Sequence, residues 1–152
     1  MAAFRILLPY NYSPNDQKAV RFVIDAFAGR KDARITLFHA YTPLPEIDVK
    51  ANPENAKVRS GMTYLATELK EKEEALNLVG DLLVESGFNR DAVDCVFKKR
   101  VKTAAEEIVD QVGHRNVLVL SRGAGKVTHF FTRSIYARVV AALRGITICV
   151  AT

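Results

Sequence analysis

Apolar runs that read as strands alternate with stretches of helical periodicity along the whole chain, and this alternation restricts the fold more than any other property. The runs are Phe4–Pro9 (F-R-I-L-L-P), Ala33–Ala40 (A-R-I-T-L-F-H-A), Ala92–Phe97, Asn116–Leu120 and Ile146–Val150. Between them, apolar residues recur at helical spacing. Val20, Val23, Ile24 and Phe27 mark the first helix. Leu65, Leu69, Leu76, Val79 and Leu83 mark a second over Gly61–Ser86, and Ile108, Val109 and Val112 a third. A fourth is predicted over Thr132–Leu143. Ser13-Pro14 with Asp16, and Thr103 with Glu106, have the form of helix-capping boxes, and Gly29, Gly87 and Gly113 follow the predicted ends. Strands that alternate with helices must pair in parallel through right-handed crossovers. The expected fold class is α/β, an open five-stranded parallel sheet with helices on both faces.

Bulk properties narrow the function classes. The 152 residues suit one domain spanning 1–152, large enough to fold without disulfide or metal. Cys95 and Cys149 have no metal or CxxC spacing and are expected to be buried free thiols in a reducing compartment. No apolar run reaches membrane-spanning length, and M-A-A-F-R-I-L-L-P does not read as a secretory signal; a cytoplasmic, soluble protein is expected. The net charge of +5 is unevenly placed. All 17 acids lie at or before Asp110, whereas residues 111–152 carry Arg115, Arg122, Lys126, Arg133, Arg138 and Arg144. That asymmetry suits a local anion site, a broad basic face, or scattered solvated cations.

In open parallel sheets ligands bind beyond the carboxyl ends of the strands, where the strand order reverses. The loops there are Pro9-Tyr10-Asn11-Tyr12-Ser13, the segment from His39-Ala40, and Ser121-Arg122-Gly123-Ala124-Gly125-Lys126. Gly125-Lys126 is not a phosphate-binding P-loop, because Leu120 occupies its first glycine position and Val127 stands where Ser or Thr reaches magnesium. The first strand is not followed by GxGxxG. Tyr41–Lys57, with Pro43, Pro45 and Pro53, reads as a long loop.

These residues in this order resemble the universal stress protein family. The opening I-L-L-P-Y-N-Y-S, then L-F-H-A, A-A-E-E-I, V-L-S-R-G, R-S-I and I-C-V-A carry the resemblance over essentially the whole chain. It implies a Rossmann-like, adenine nucleotide alpha hydrolase-like sheet of order 3-2-1-4-5. It also implies a homodimer through the last strand, here Ile146 to Ala151. One branch of the family binds ATP through G-x-x-G, nine residues, then G-[ST]. The positions here are Leu120, Gly123, Arg133 and Ser134, followed by Ile135. Pro9, Asn11 and Ala40 fall on the adenine side, with Asn11 in place of the family's Asp. Leu120 and Arg133 replace two glycines. Arg133 either fills the phosphate space or joins Arg122 and Lys126 in binding an anion.

Other chemistry is not indicated. His39, His114 and His129 lack ligand spacing, and His39 reads as structural. Ser121, Ser134 and the cysteines have no evident His–Asp partners. Lys98-Lys99-Arg100-Val101-Lys102 reads as a solvated edge, and Tyr10 and Tyr12 either stack on a base or cover the core. The resemblance implies a stress-response regulatory module, dimeric, with a degenerate pocket for ATP, AMP or another anion and an unidentified protein partner. It is not expected to be a dedicated enzyme beyond slow ATP hydrolysis. The alternatives are an ATP-binding switch and a basic-face binder of nucleic acid or an acidic partner, with nucleic acid the less favoured.

Overall fold

The computed structural model describes residues 2–44, 55–122 and 137–152, with backbone alone for 55–60. The elements are β1 (Phe4–Pro9), α1 (Pro14–Phe27), β2 (Ala33–Tyr41), α2 (Asn55–Glu85), β3 (Val93–Lys99), α3 (Ala104–Val112), β4 (Val117–Ser121), α4 (residues 137–142) and β5 (Thr147–Ala151). The strands form one parallel sheet in the order β3-β2-β1-β4-β5. The order reverses between β1 and β4, and the register there is short: Ile6 pairs with Val117 and Leu7 with Leu118.

Strand alternation sends side chains to two cores. Ile6, Leu8, Ile35, Leu37, Val117 and Val119 pack under α1 and α2, against Val20, Val23, Leu76 and Leu83. Leu7, Phe38, Leu118 and Leu120 pack on the other face, against Ala105, Ile108 and Val112 of α3 and Val139 of α4. Both capping boxes form, Ser13 with Asp16 and Thr103 with Glu106. After α2 the chain turns at Gly87, whose φ of 124° belongs to glycine, and a Cβ there would meet the Gly29 nitrogen at 3.2 Å.

Three expectations are corrected. Helix α2 begins at Asn55, so the loop after β2 is shorter than Tyr41–Lys57. Leu65, placed on the apolar stripe, is exposed, because 31 residues make a helix of about 46 Å against about 30 Å for nine-residue β2, and its N-terminal half outruns the sheet. Cys95 is exposed rather than buried, because β3 is an edge strand, and Cys149 is half-buried.

Candidate functional site

The crevice beyond the carboxyl ends of β1 and β4 is organised by one carboxylate. Asp16 lies in the first turn of α1 and is only 3% exposed. Its Oδ2 accepts from the backbone N–H of Asn11 (3.0 Å), the N–H of Ser13 (3.0 Å) and the Ser13 hydroxyl (2.7 Å). Its Oδ1 accepts from the Ser121 hydroxyl at the end of β4. The same residue therefore caps α1, folds the β1–α1 loop and ties that loop to β4. The capping role is visible in the local spacing, whereas the bond to Ser121 spans 105 residues and is not.

A wall of aromatic rings closes the α2 side. Tyr10 meets Tyr12 edge-on at 5.1 Å, Tyr12 meets His39 at 4.9 Å, and His39 stacks on Phe97 at 5.5 Å, which stacks on Tyr41 at 4.7 Å. Tyr12 sits at φ 61°, uncommon for a residue with a side chain, and its hydroxyl donates to the Lys72 carbonyl of α2 at 2.5 Å. Burial, then neighbouring Tyr10, pushes the Tyr12 phenol up to about 12. His39 is buried, and its Nδ1 lies 2.8 Å from the Tyr10 carbonyl. A carbonyl only accepts, so Nδ1 carries the proton. Burial lowers the His39 pKa and favours the neutral ring. His39 is thus structural, as expected. Tyr10 and Tyr12 cover the core, which answers the question left open by their loop position.

The remaining candidates divide. Pro9 ends β1 and Ala40 lies near the end of β2, both half-buried; Asn11 is exposed with its backbone anchored on Asp16. Arg122 is exposed, and its backbone N–H donates to the Ala151 carbonyl at 2.8 Å, extending the β4–β5 ladder by one step. Leu120 is 7% exposed and packs in the α3-side core, so its side chain serves the interior rather than the crevice. Gly123, Lys126, Arg133, Ser134 and Ile135 lie outside the described residues, as does His129.

Some of the charge elsewhere is compensated. In the Lys98–Lys102 cluster, Lys98 pairs with Glu107 at 2.9 Å and Lys102 with Asp110 at 2.6 Å. Glu107 is buried and accepts from the backbone N–H groups of Val101 and Lys102; those bonds, then the one from Lys98, hold its carboxyl down to about 2. Arg144 donates to the Ala141 and Leu143 carbonyls at the end of α4. Among the described residues there is no cluster of three or more acidic, His or Cys side chains placed for a metal, and no helix long and apolar enough to cross a membrane.

The fold has known counterparts. The structure superposes on the universal stress protein UspA from Lactobacillus plantarum with TM-score 0.70 and 16% identity, covering 100% of this chain and 99% of that one. A universal stress protein family member from Burkholderia pseudomallei gives TM-score 0.62 and 13% identity, with coverage of 96% and 93%. A universal stress protein in complex with cAMP gives 0.61 and 12%, with coverage of 99% and 98%. At such identities the likeness is one of fold. No curated protein matches the sequence significantly. The sequence itself matches the universal stress protein family over residues 3–144. The chain belongs to the universal stress protein family.

Proposed function

We propose that this universal stress protein is a single-domain, dimeric regulatory module whose crevice beyond β1 and β4 holds an adenine nucleotide or another anion weakly. The observation that carries this reading is the Asp16 clamp. It draws the β1–α1 loop, with Asn11 at its tip, against the end of β4, where Arg122 begins the basic loop. This is the switch point at which open parallel sheets take ligands. The structural neighbour in complex with cAMP supports nucleotide chemistry at such a fold. Leu120 and Arg133 stand where the ATP-binding branch has glycine, and the loss of glycine's backbone freedom at two positions argues for weaker binding than in that branch. Candidate contacts are Pro9, Asn11 and Ala40 on the adenine side and Arg122, Gly123, Lys126, Arg133, Ser134 and Ile135 on the anion side. The dimer forms through the edge of β5, whose Ile148, Cys149, Val150 and Ala151 are only half-buried in the monomer. A cytoplasmic location, a protein partner and no dedicated catalysis complete the reading.

Mass spectrometry of small molecules released from the native protein tests occupancy. Mg-ATP at millimolar concentration raises the melting temperature, since a ligand that binds only the native state must stabilise it, and Arg122→Ala weakens that rise. An unshifted melting temperature together with nucleotide-free protein would refute nucleotide binding and leave the partner-binding module.

A further inference from the structure

At the opposite end of the sheet, on the α3 face, a cleft of about 290 Å³ is lined by Arg5, Arg34, Thr36, Asp94, His114 and Arg115. Arg5 of β1 and Arg34 of β2 are register partners, so their side chains leave the same face of neighbouring strands. Like charges placed directly across a strand pair repel one another. Arg115 adds a third from the turn before β4. Among the described residues, Asp94 is the single carboxylate lining the cleft, with its Oδ2 at 3.8 Å from Arg34.

All three guanidiniums are positioned by neutral oxygens. Arg5 donates from Nε to the His114 carbonyl at 2.7 Å and from Nη1 to the Ala2 carbonyl at 3.1 Å. Arg34 donates from Nη2 to the Asp91 carbonyl at 2.7 Å. Arg115 donates from Nε and Nη2 to the Thr36 hydroxyl at 3.1 and 3.0 Å, and from Nη1 to the Gln111 carbonyl at 2.6 Å. Neutral acceptors fix orientation without cancelling charge, so the cleft keeps a net positive charge after Asp94 is counted. Burial lowers the Arg115 pKa, with Asp94 acting in the opposite direction, as expected of a cation held partly out of water without a close anion.

We propose that Arg5, Arg34 and Arg115 form a second anion site that takes a phosphate group, as free inorganic phosphate or as a phosphomonoester. Planar forks that retain unused N–H groups match the oxygens of a phosphate. The cleft is at the lower limit of ordinary ligand pockets, which suits a small oxyanion rather than a whole nucleotide. The site lies at the strand ends opposite the Asp16 crevice and is independent of the nucleotide reading above.

The test is titration of the full chain at low ionic strength with inorganic phosphate and, in parallel, phosphoserine, followed by amide chemical shifts. Saturable shifts are expected at Arg5, Thr36 and Arg115, and whichever compound binds tighter identifies the source. Arg34→Gln, at an exposed position, is expected to weaken binding about tenfold, whereas Arg21→Gln, at an exposed position of α1, leaves it unchanged. If circular dichroism shows Arg34→Gln to be misfolded, Arg34→Lys takes its place, with several-fold weaker binding expected because the fork is lost. Shifts that do not saturate, shifts confined to Asn11 and Arg122, or unaltered affinity in the Arg34 variant would each overturn the proposal.

Discussion

Replacing Asp16 by alanine should damage this protein more than replacing any other residue of the crevice. Four donors converge on the carboxylate: the N–H groups of Asn11 and Ser13 and the hydroxyls of Ser13 and Ser121. Alanine leaves them without an acceptor in a partly buried loop, at about 1 kcal/mol each for those that water cannot reach. It also removes half of the capping box, worth about 1 kcal/mol. The total is roughly 3–4 kcal/mol, or about 10 °C in melting temperature for a domain of this size. Asp16→Asn keeps one acceptor oxygen for the loop amides, and its new N–H group can donate to the Ser121 oxygen, so the cost falls to about 1 kcal/mol. Ser121→Ala should also cost about 1 kcal/mol. The assay is urea unfolding at fixed protein concentration, since the proposed dimer would make apparent stability depend on concentration. A double-mutant cycle between Asp16→Ala and Ser121→Ala should give a coupling of about 1 kcal/mol. A cost below about 1 kcal/mol for Asp16→Ala, or strictly additive effects, would show that the carboxylate does not hold the two loops together.

Two further outcomes follow from other contacts. Glu107 has a folded pKa of about 2, below its ordinary value of 4.5. Its stabilisation is therefore complete above pH 4.5 and lost as the pH falls toward 2, so urea midpoints across that window should fall less steeply in Glu107→Gln than in the parent. Gly80 of α2 faces β3, and a Cβ there would lie 2.8 Å from the Cys95 sulfur. Gly80→Ala should be net destabilising by roughly 1 kcal/mol, overpacking exceeding a helix-propensity gain of about 1 kcal/mol. Adding Cys95→Ala should recover stability; a stabilised Gly80→Ala single variant would rule out the contact.

The sheet was legible because each strand carries its own evidence in apolar β-branched runs and each of α1 and α3 carries a capping box within four residues. The start of the second helix is not legible, because Asn55–Ser60 shows no apolar period in the sequence, although α2 begins there. The apolar run around Cys95 points to the interior because such a run cannot reveal that its strand lies at an edge. The site divided in the same way. Topology locates its loops, and spacing singles out Leu120. The Asp16–Ser121 and Arg115–Thr36 bonds join residues 105 and 79 positions apart, and no local pattern encodes such pairs.

The strand order also dictates a sequence of events during synthesis. β1 is made first yet lies at the centre, flanked by β2 and by β4, which emerges more than a hundred residues later. The unit β1–α1–β2 can pair as soon as Tyr41 is available. Until then and long afterwards, the other edge of β1 stays open, with Ile6, Leu7 and Leu8, all fully buried in the finished fold, awaiting cover on that side. Pairing across long separations is slow, and an apolar edge left waiting is prone to the wrong neighbour. The nascent chain is thus most vulnerable between the emergence of β2 and that of β4, and the last hydroxyl of β4, on Ser121, closes that interval by reaching back to the first helix.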